Sequence, residues 1–330
     1  MRRIGVIGAG AWGTALAMAL RGAGREVLIW TRDPALADRL NSDHENPAYL
    51  PDVRLDPALR ATSDLGEATG CEALLLAVPA QHLRDIVGRL ASHMTDPRPL
   101  VICAKGIEQR SGRLMSEVLA EVLPGHPVAV LSGPNFAVEV ARGLPAAVTL
   151  AAEDVDLGAA LVEALGSRAF RPYLSDDVVG AQIGGAVKNV IAIACGIVAG
   201  RNFGDNARAA LITRGLAEVV RLGRAKGARA ETLMGLSGLG DLTLTCTSMT
   251  SRNYSLGRAL GEGQRLDDIL AGRRSVAEGV FSAAAVAGLA ERHGIEMPIS
   301  AGVDAVLNRG AGVDETIAAL LARPFRAEFP

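Results

Sequence analysis

Residues 3–30 read RIGVIGAGAWGTALAMALRGAGREVLIW, and this stretch decides the fold. Arg3–Ile7 is a short apolar run of strand type. Thr14–Gly22 has the composition of a helix, and Glu26–Trp30 is a second β-type run. Between the first two lies Gly8-Ala9-Gly10-Ala11-Trp12-Gly13, a G-x-G-x-x-G spacing. Strand, glycine turn, helix and second strand within about 30 residues make the opening of a βαβ dinucleotide-binding unit. Gly8 permits the tight turn, Gly10 lets the backbone approach a pyrophosphate, and Gly13 lets helix and strand pack closely. The unpaired N–H groups at the start of the helix suit phosphate oxygens. The same stretch superficially resembles a secretory leader, because Arg2-Arg3 precedes an uncharged run, Ile4–Leu20. Gly5, Gly8, Gly10 and Gly13 punctuate that run, and it is shorter than the ~20 residues that span a bilayer. A cytoplasmic protein without membrane insertion is expected.

Outward from this unit, β-type runs recur at Ala73–Val78, Leu100–Ala104, Val128–Leu131, Ala146–Ala151 and Ala169–Leu174, with helix-compatible segments such as Gln81–Ser92 between the earlier ones. This alternation predicts an α/β architecture, a doubly wound parallel sheet of Rossmann type with helices on both faces. After about Val179 the pattern changes. Ala186–Ala199, Ala207–Gly223, Ser255–Leu260 and Ser282–Arg292 read as helices. The expected organisation is a dinucleotide-binding domain over 1–185 and an all-helical domain over 186–330.

Composition narrows the function. The chain has 330 residues, 49% hydrophobic and 21% charged, which supplies a sizeable core and excludes a disordered chain. A net charge of −2 and 3% aromatics give no reason to expect nucleic acid as a partner. Cys71, Cys103, Cys195 and Cys246 are widely spaced, without a C-x-x-C pair. They read as buried thiols in a reducing compartment, and no metal site is expected.

The end of the second strand bears on which dinucleotide binds. Trp30-Thr31-Arg32-Asp33 places Thr31 where an acid would grip the ribose of NAD. Arg32 suits a 2′-phosphate or the adenine face. Asp33 suits a ribose or, ahead of Pro34, a helix cap. Both NADH and NADPH stay open.

Only three of the 34 basic residues are lysine: Lys105, Lys188 and Lys226. Arginine cannot release a proton in a protein, whereas lysine can, so a lysine in an arginine-biased chain marks a position where arginine fails. Lys226 lies in a polar helix end and reads as a solvated charge. Lys105 directly follows a strand, where α/β sheets bind ligands. Lys188 lies in an apolar helix, where a lysine without a task is rare.

The motifs GAGAWGTALA (8–17), AKGIE (104–108), LSGPNFAVE (131–139), GGAVKNVIAIA (184–194), NARAALITRGLAE (206–218), GLSGLGDLTLTCTS (235–248), SRN (251–253) and VAEG (276–279) occur in this order. In them the chain resembles, over essentially its whole length, the bacterial-type NAD(P)-dependent glycerol-3-phosphate dehydrogenases. The resemblance implies NAD(P)H-dependent reduction of dihydroxyacetone phosphate to sn-glycerol 3-phosphate, for glycerophospholipid synthesis, by a homodimer. It implies that Ala11, Trp12, Arg32 and Tyr49 hold the dinucleotide with the glycine loop and Asp33. Lys105 would touch both cofactor and substrate. Gly133 and Asn135 would meet the substrate, and Ala137 the cofactor. Lys188 would be the acid/base. Asp241, Thr245, Ser251, Arg252 and Asn253 would bind substrate, with Arg252 reaching the cofactor. Val276 and Glu278 would line the nicotinamide end.

In chemical terms, an ammonium at Lys188 can protonate the oxygen that gains charge on hydride arrival, and Arg252 offers a fork for a phosphate. Ser251 as a helix cap would add backbone N–H groups to that anion site. A β-hydroxyacid dehydrogenase is the rival enzyme, but its lysine is typically followed four residues later by asparagine, and here Ala192 stands there. A dinucleotide sensor without turnover is a third reading, opposed by the presence of both Lys105 and Lys188.

Overall fold

The computed structural model describes residues 1–272, 277–325 and 327–328. The first part runs β1 (Arg3–Ile7), α1 (Ala11–Gly22), β2 (Glu26–Trp30), α2 (Pro34–Ser42), β3 (Glu45–Asn46), β4 (Leu50–Arg54), β5 (Arg60–Thr62), α3 (Leu65–Ala68), β6 (Ala73–Leu76) and α4 (Leu83–Ala91). It continues through β7 (Leu100–Ile102), α5 (Met115–Val122), β8 (Val128–Ser132), α6 (Ala137–Ala141), β9 (Ala146–Ala152), α7 (Val155–Leu165) and β10 (Phe170–Ser175). Eight strands form one sheet in the order β10-β9-β8-β7-β6-β1-β2-β5, and β3 and β4 pair as a separate hairpin. Every residue of β6 is buried, as is every residue of β1 and β2 after the first. Continuous apolar strands of this kind belong to a sheet covered on both faces.

Two expectations need correction, and three short strands went unanticipated. The sheet is mixed, because β8 and β9 pair antiparallel while β9 and β10 pair parallel. A parallel crossover needs a dozen or more residues, usually with a helix that runs back along the sheet. The β8–β9 connection spans residues 133–145, but its helix α6 has only five residues, about 7.5 Å, too short to run back along the sheet, so the chain stays at one end and re-enters in the opposite direction. The edge strand β5 and the β3–β4 hairpin were also unanticipated, being short and polar. Finally, the boundary expected at 185/186 falls inside a continuous helix, α8 (Val178–Gly200). The architecture changes between Ser175 and Val178. The linker is only Asp176-Asp177, and α8 beyond it is apolar along most of its length, so no long polar stretch marks the change.

The second part wraps around α8. It comprises α9 (Gly204–Ala225), α10 (Ala230–Met234), a π-helical turn (Leu236–Gly240), α11 (Asp241–Thr247), α12 (Arg252–Gly261), α13 (Leu266–Ala271), α14 (Glu278–Arg292), α15 (Pro298–Asn308) and α16 (Val313–Leu321). Helices α9, α11, α12 and α14 all pack on α8. By length and hydropathy α8 alone among the described helices passes as a membrane span, yet 83% of its most apolar window is buried inside the protein. It is the core helix of the second part. Its N-terminal half also contacts β8 and β9, so it is shared by sheet and bundle and carries Lys188 to their junction.

Candidate active site

The glycine turn sits at the C-terminal end of β1. Gly8 has φ +114°, which favours glycine, and a Cβ there would lie 3.0 Å from the Ala77 carbonyl oxygen. A Cβ on Gly13 would overlap the Gly8 carbonyl. These two glycines serve the protein's own packing. Gly10 is different: a Cβ there would meet nothing within 4 Å. Gly10 also opens α1 without a side-chain cap and without an acidic residue in the first turn. The space beside it and the uncapped N–H groups fit the pyrophosphate of a dinucleotide. Trp12 adds a buried indole N–H without a partner among the described residues. The turn is braced by a residue that sequence reasoning missed. Asn46, fully buried in β3, donates its side-chain N–H to the Ala9 carbonyl at 2.9 Å and to the Thr14 hydroxyl at 2.8 Å.

Arg32 and Asp33 follow β2 and are exposed. Asp33 caps α2, its Oδ1 accepting from the Ala35 N–H at 3.0 Å, which is the helix-cap role weighed for it above. Tyr49 lies in the β3–β4 turn with 46% of its surface exposed. Ala137 opens α6, which packs on α1. Val276 lies outside the described residues.

The chemical cluster gathers on Asp241, which opens α11 directly after the π-helical turn and is 1% exposed. Lys188 donates from Nζ to Asp241 Oδ1 at 2.5 Å and to the Thr245 hydroxyl at 2.9 Å. Thr245 in turn donates to the Asp241 carbonyl at 2.6 Å. Lys105 reaches the same carboxylate from the end of β7, 2.7 Å from Oδ2. It also donates to the Gly133 carbonyl at 2.8 Å and to Asn135 Oδ1 at 3.3 Å. Asn135 donates to the Gly133 carbonyl at 2.7 Å. Gly133 has φ +144° and a Cβ there would lie 2.9 Å from Val148 Cα, so the turn that aims this carbonyl demands glycine.

An ammonium has three protons. Those of Lys105 are matched by three protein oxygens, whereas Lys188 has two partners among the described residues. Burial pushes the Lys188 ammonium down to about 8; Asp241 opposes that shift and the Lys105 charge reinforces it. Lys105 is thus fully engaged by protein oxygens, and Lys188 is poised to give up a proton.

Ser251 caps α12, accepting from the Tyr254 N–H at 3.2 Å, and Arg252 is the exposed first residue of that helix. Asn253 is buried and donates to Asn189 Oδ1 at 2.9 Å. Its own Oδ1 accepts from the Gly279 N–H at 3.0 Å. This link, also missed from the sequence, ties α8, α12 and α14 together next to Lys188. Glu278 opens α14, and burial raises its carboxyl above the usual range against the pull of Arg252 and of the Ala80 N–H. The buried carboxylate of Glu218 is structural, capping α15 by accepting from Ile299 and Ser300 N–H at 2.6 and 3.0 Å. Lys226 departs from its expectation. It closes α9, but pairs with Glu117 of α5 at 2.7 Å with its side chain only 17% exposed. No group of three or more metal-ligating side chains occurs among the described residues.

Residues 3–158 match the N-terminal model, and residues 177–318 the C-terminal model, of a family described as NAD-dependent glycerol-3-phosphate dehydrogenase. A protein of Parvibaculum lavamentivorans named glycerol-3-phosphate dehydrogenase (NAD(P)+) is 58% identical over 99% of this chain and 98% of its own length. One of the same name from Rhodospirillum rubrum is 61% identical, covering 98% and 93%. The crystal structure of glycerol-3-phosphate dehydrogenase from Coxiella burnetii superposes with a TM-score of 0.94 at 39% identity, covering 98% of this chain and 99% of that one. Matched by both family models and by relatives along nearly its whole length, the chain belongs to the NAD-dependent glycerol-3-phosphate dehydrogenase family.

Proposed function

We propose that this protein reduces dihydroxyacetone phosphate to sn-glycerol 3-phosphate, reversibly, at the expense of NAD(P)H. The carrying observation is the pair of lysines on one buried carboxylate. When bound, NAD(P)H supplies the hydride. Lys188 holds the proton for the carbonyl oxygen, through the N–H that neither Asp241 nor Thr245 takes. Asp241 and Thr245 fix the direction of that ammonium. Burial, reinforced by the Lys105 charge, keeps its pKa low enough for release, and Lys105 holds the Gly133–Asn135 turn against the substrate. Arg252, with Ser251 and Asn253, takes the phosphate at the start of α12. Arg32 and the 8–13 turn take the dinucleotide, with Asp33, Tyr49, Ala137, Val276 and Glu278 completing its site.

We further infer that the part up to Ser175 serves mainly the dinucleotide and the helical part from Val178 mainly the substrate, with Lys105, Gly133 and Asn135 reaching the substrate from the first and Glu278 reaching the dinucleotide from the second. The product serves glycerophospholipid synthesis, and the enzyme works in the cytoplasm as a homodimer. Light scattering tests the dimer.

The activity is tested by following NAD(P)H oxidation with dihydroxyacetone phosphate, unphosphorylated dihydroxyacetone and β-keto acids. The phosphorylated ketone should be preferred strongly in kcat/KM. Comparable values for the two ketones overturn the Arg252 phosphate site, and preference for a β-keto acid overturns the reaction.

A further inference from the structure

Two buried polar atoms one turn apart on α14, Glu278 Oε2 and Ser282 Oγ, have no hydrogen-bond partner among the described residues. Both face Gly106: a Cβ built there would lie 3.8 Å from each. Ala80, after β6, donates its backbone N–H to the same carboxyl. Glu278 therefore roofs the C-terminal ends of β6 and β7, beside β1 and its glycine turn in the sheet order. Among the described residues few charges face it. From α12 the Arg252 guanidinium acts on it. From the β7 end Lys105 is adjacent in sequence to Gly106, but its ammonium is engaged by Asp241, Gly133 and Asn135. From the β6 end and from α14 itself the neighbours, Ala80 and Ser282, are neutral.

An ionised carboxylate with a buried, unpaired oxygen is costly. It is relieved either by a proton or by a positive charge placed against it. The two forms of the dinucleotide differ in this respect: the oxidised nicotinamide ring carries a positive charge and the reduced ring is neutral.

We propose that Glu278 reads the redox state of the bound dinucleotide, protonated against the reduced ring and ionised against the oxidised one, and so sets the relative affinity for the two forms. The inference rests on the dehydrogenase reading above. Burial already holds the Glu278 proton to higher pH than an ordinary carboxyl does. Binding of the oxidised form then expels that proton, whereas the reduced form retains it or takes one up. By linkage the ratio Kd(NADP+)/Kd(NADPH) falls as pH rises, by up to about tenfold per pH unit for one proton.

The test is calorimetric titration of NADP+ and NADPH into the wild type and Glu278→Gln from about pH 5 to about pH 9, in buffers of different ionisation enthalpy. The wild type should release more protons with NADP+ than with NADPH, and its affinity ratio should fall with pH. Glu278→Gln should flatten the ratio and erase the difference in proton release. A merely structural Glu278 would weaken both forms alike in the variant and leave the wild-type ratio flat. A flat ratio in the wild type, or a pH dependence that survives in Glu278→Gln, overturns the proposal while leaving the dehydrogenase standing. Failure of the wild type to bind either dinucleotide would remove both. The wild-type proton count stands on its own if the variant does not fold.

Discussion

The glycine turn at 8–13 and the cluster on Asp241 are opposite kinds of site. The first is six contiguous residues, and its working surface is backbone: an open space at Gly10 and the uncapped N–H groups of α1. The second is made of side chains from three distant segments, with Lys188 and Lys105 lying 53 and 136 residues from the aspartate they share. A backbone site in contact with solvent holds a ligand by geometry and leaves reactivity unchanged. A buried side-chain site alters the chemistry of its members, as the depressed Lys188 shows. Damage to the first should therefore appear in dinucleotide affinity, and damage to the second in kcat and its pH dependence.

The largest effect should come from Lys188→Arg, which keeps the charge and removes the easily released proton. We expect kcat to fall by roughly 10²–10⁴, the usual contribution of general acid catalysis, with NAD(P)H affinity and thermal stability little changed. Lys226→Arg is the control and should stay close to wild type. Near-wild-type kcat in a folded Lys188→Arg enzyme would dissolve the distinction between the two sites.

The pH profile sharpens it further. The ammonium form of Lys188 is the donor for ketone reduction, so kcat/KM for reduction should decline as pH rises through about 8. In the oxidation direction the neutral amine is the base, and the profile should rise through the same region. Lys105→Met removes the neighbouring cation that helps to depress Lys188. The midpoint should then move upward, and a downward move would refute the role given to Lys105.

On the dinucleotide side, Arg32→Ala should raise KM for NADPH about tenfold or more relative to NADH, since a charge-assisted contact is worth ~1.5–3 kcal/mol. Equal changes for both cofactors would make Arg32 a stacking residue. Gly10→Ala should have the smallest effect on the protein itself. Its Cβ meets no protein atom, so thermal stability should be nearly unchanged while the dinucleotide Kd weakens. Unaltered affinity in that variant would show that the open space at Gly10 is not where the dinucleotide sits.

Local chemistry made much of this legible from the sequence. The glycine turn is contiguous, so its spacing is its structure. The buried strands announce themselves as apolar runs, and β1 and β2 lie at the expected residues. Ser251 caps α12 as its residue type suggested. Lys188 stood out because a charge in an apolar helix requires a reason.

Other features depend on what folds against what. An apolar run has the same pattern in either direction, so the reversal of β9 had no local sign; the short α6 connection decides it. The change of architecture near Ser175–Val178 was hidden because α8 is apolar on every side, a pattern common to the core helix of either part. Asn46 reads locally as a turn residue and becomes a brace only when the β3–β4 hairpin folds under the glycine turn. Residue identity alone established that Lys105, Lys188 and Asp241 were able to do proton chemistry. That Lys188 is the one poised to release a proton was decided by tertiary structure, because desolvation and the count of nearby oxygens are properties of the packed site: three acceptors engage Lys105, while burial, with two acceptors, brings Lys188 to about 8.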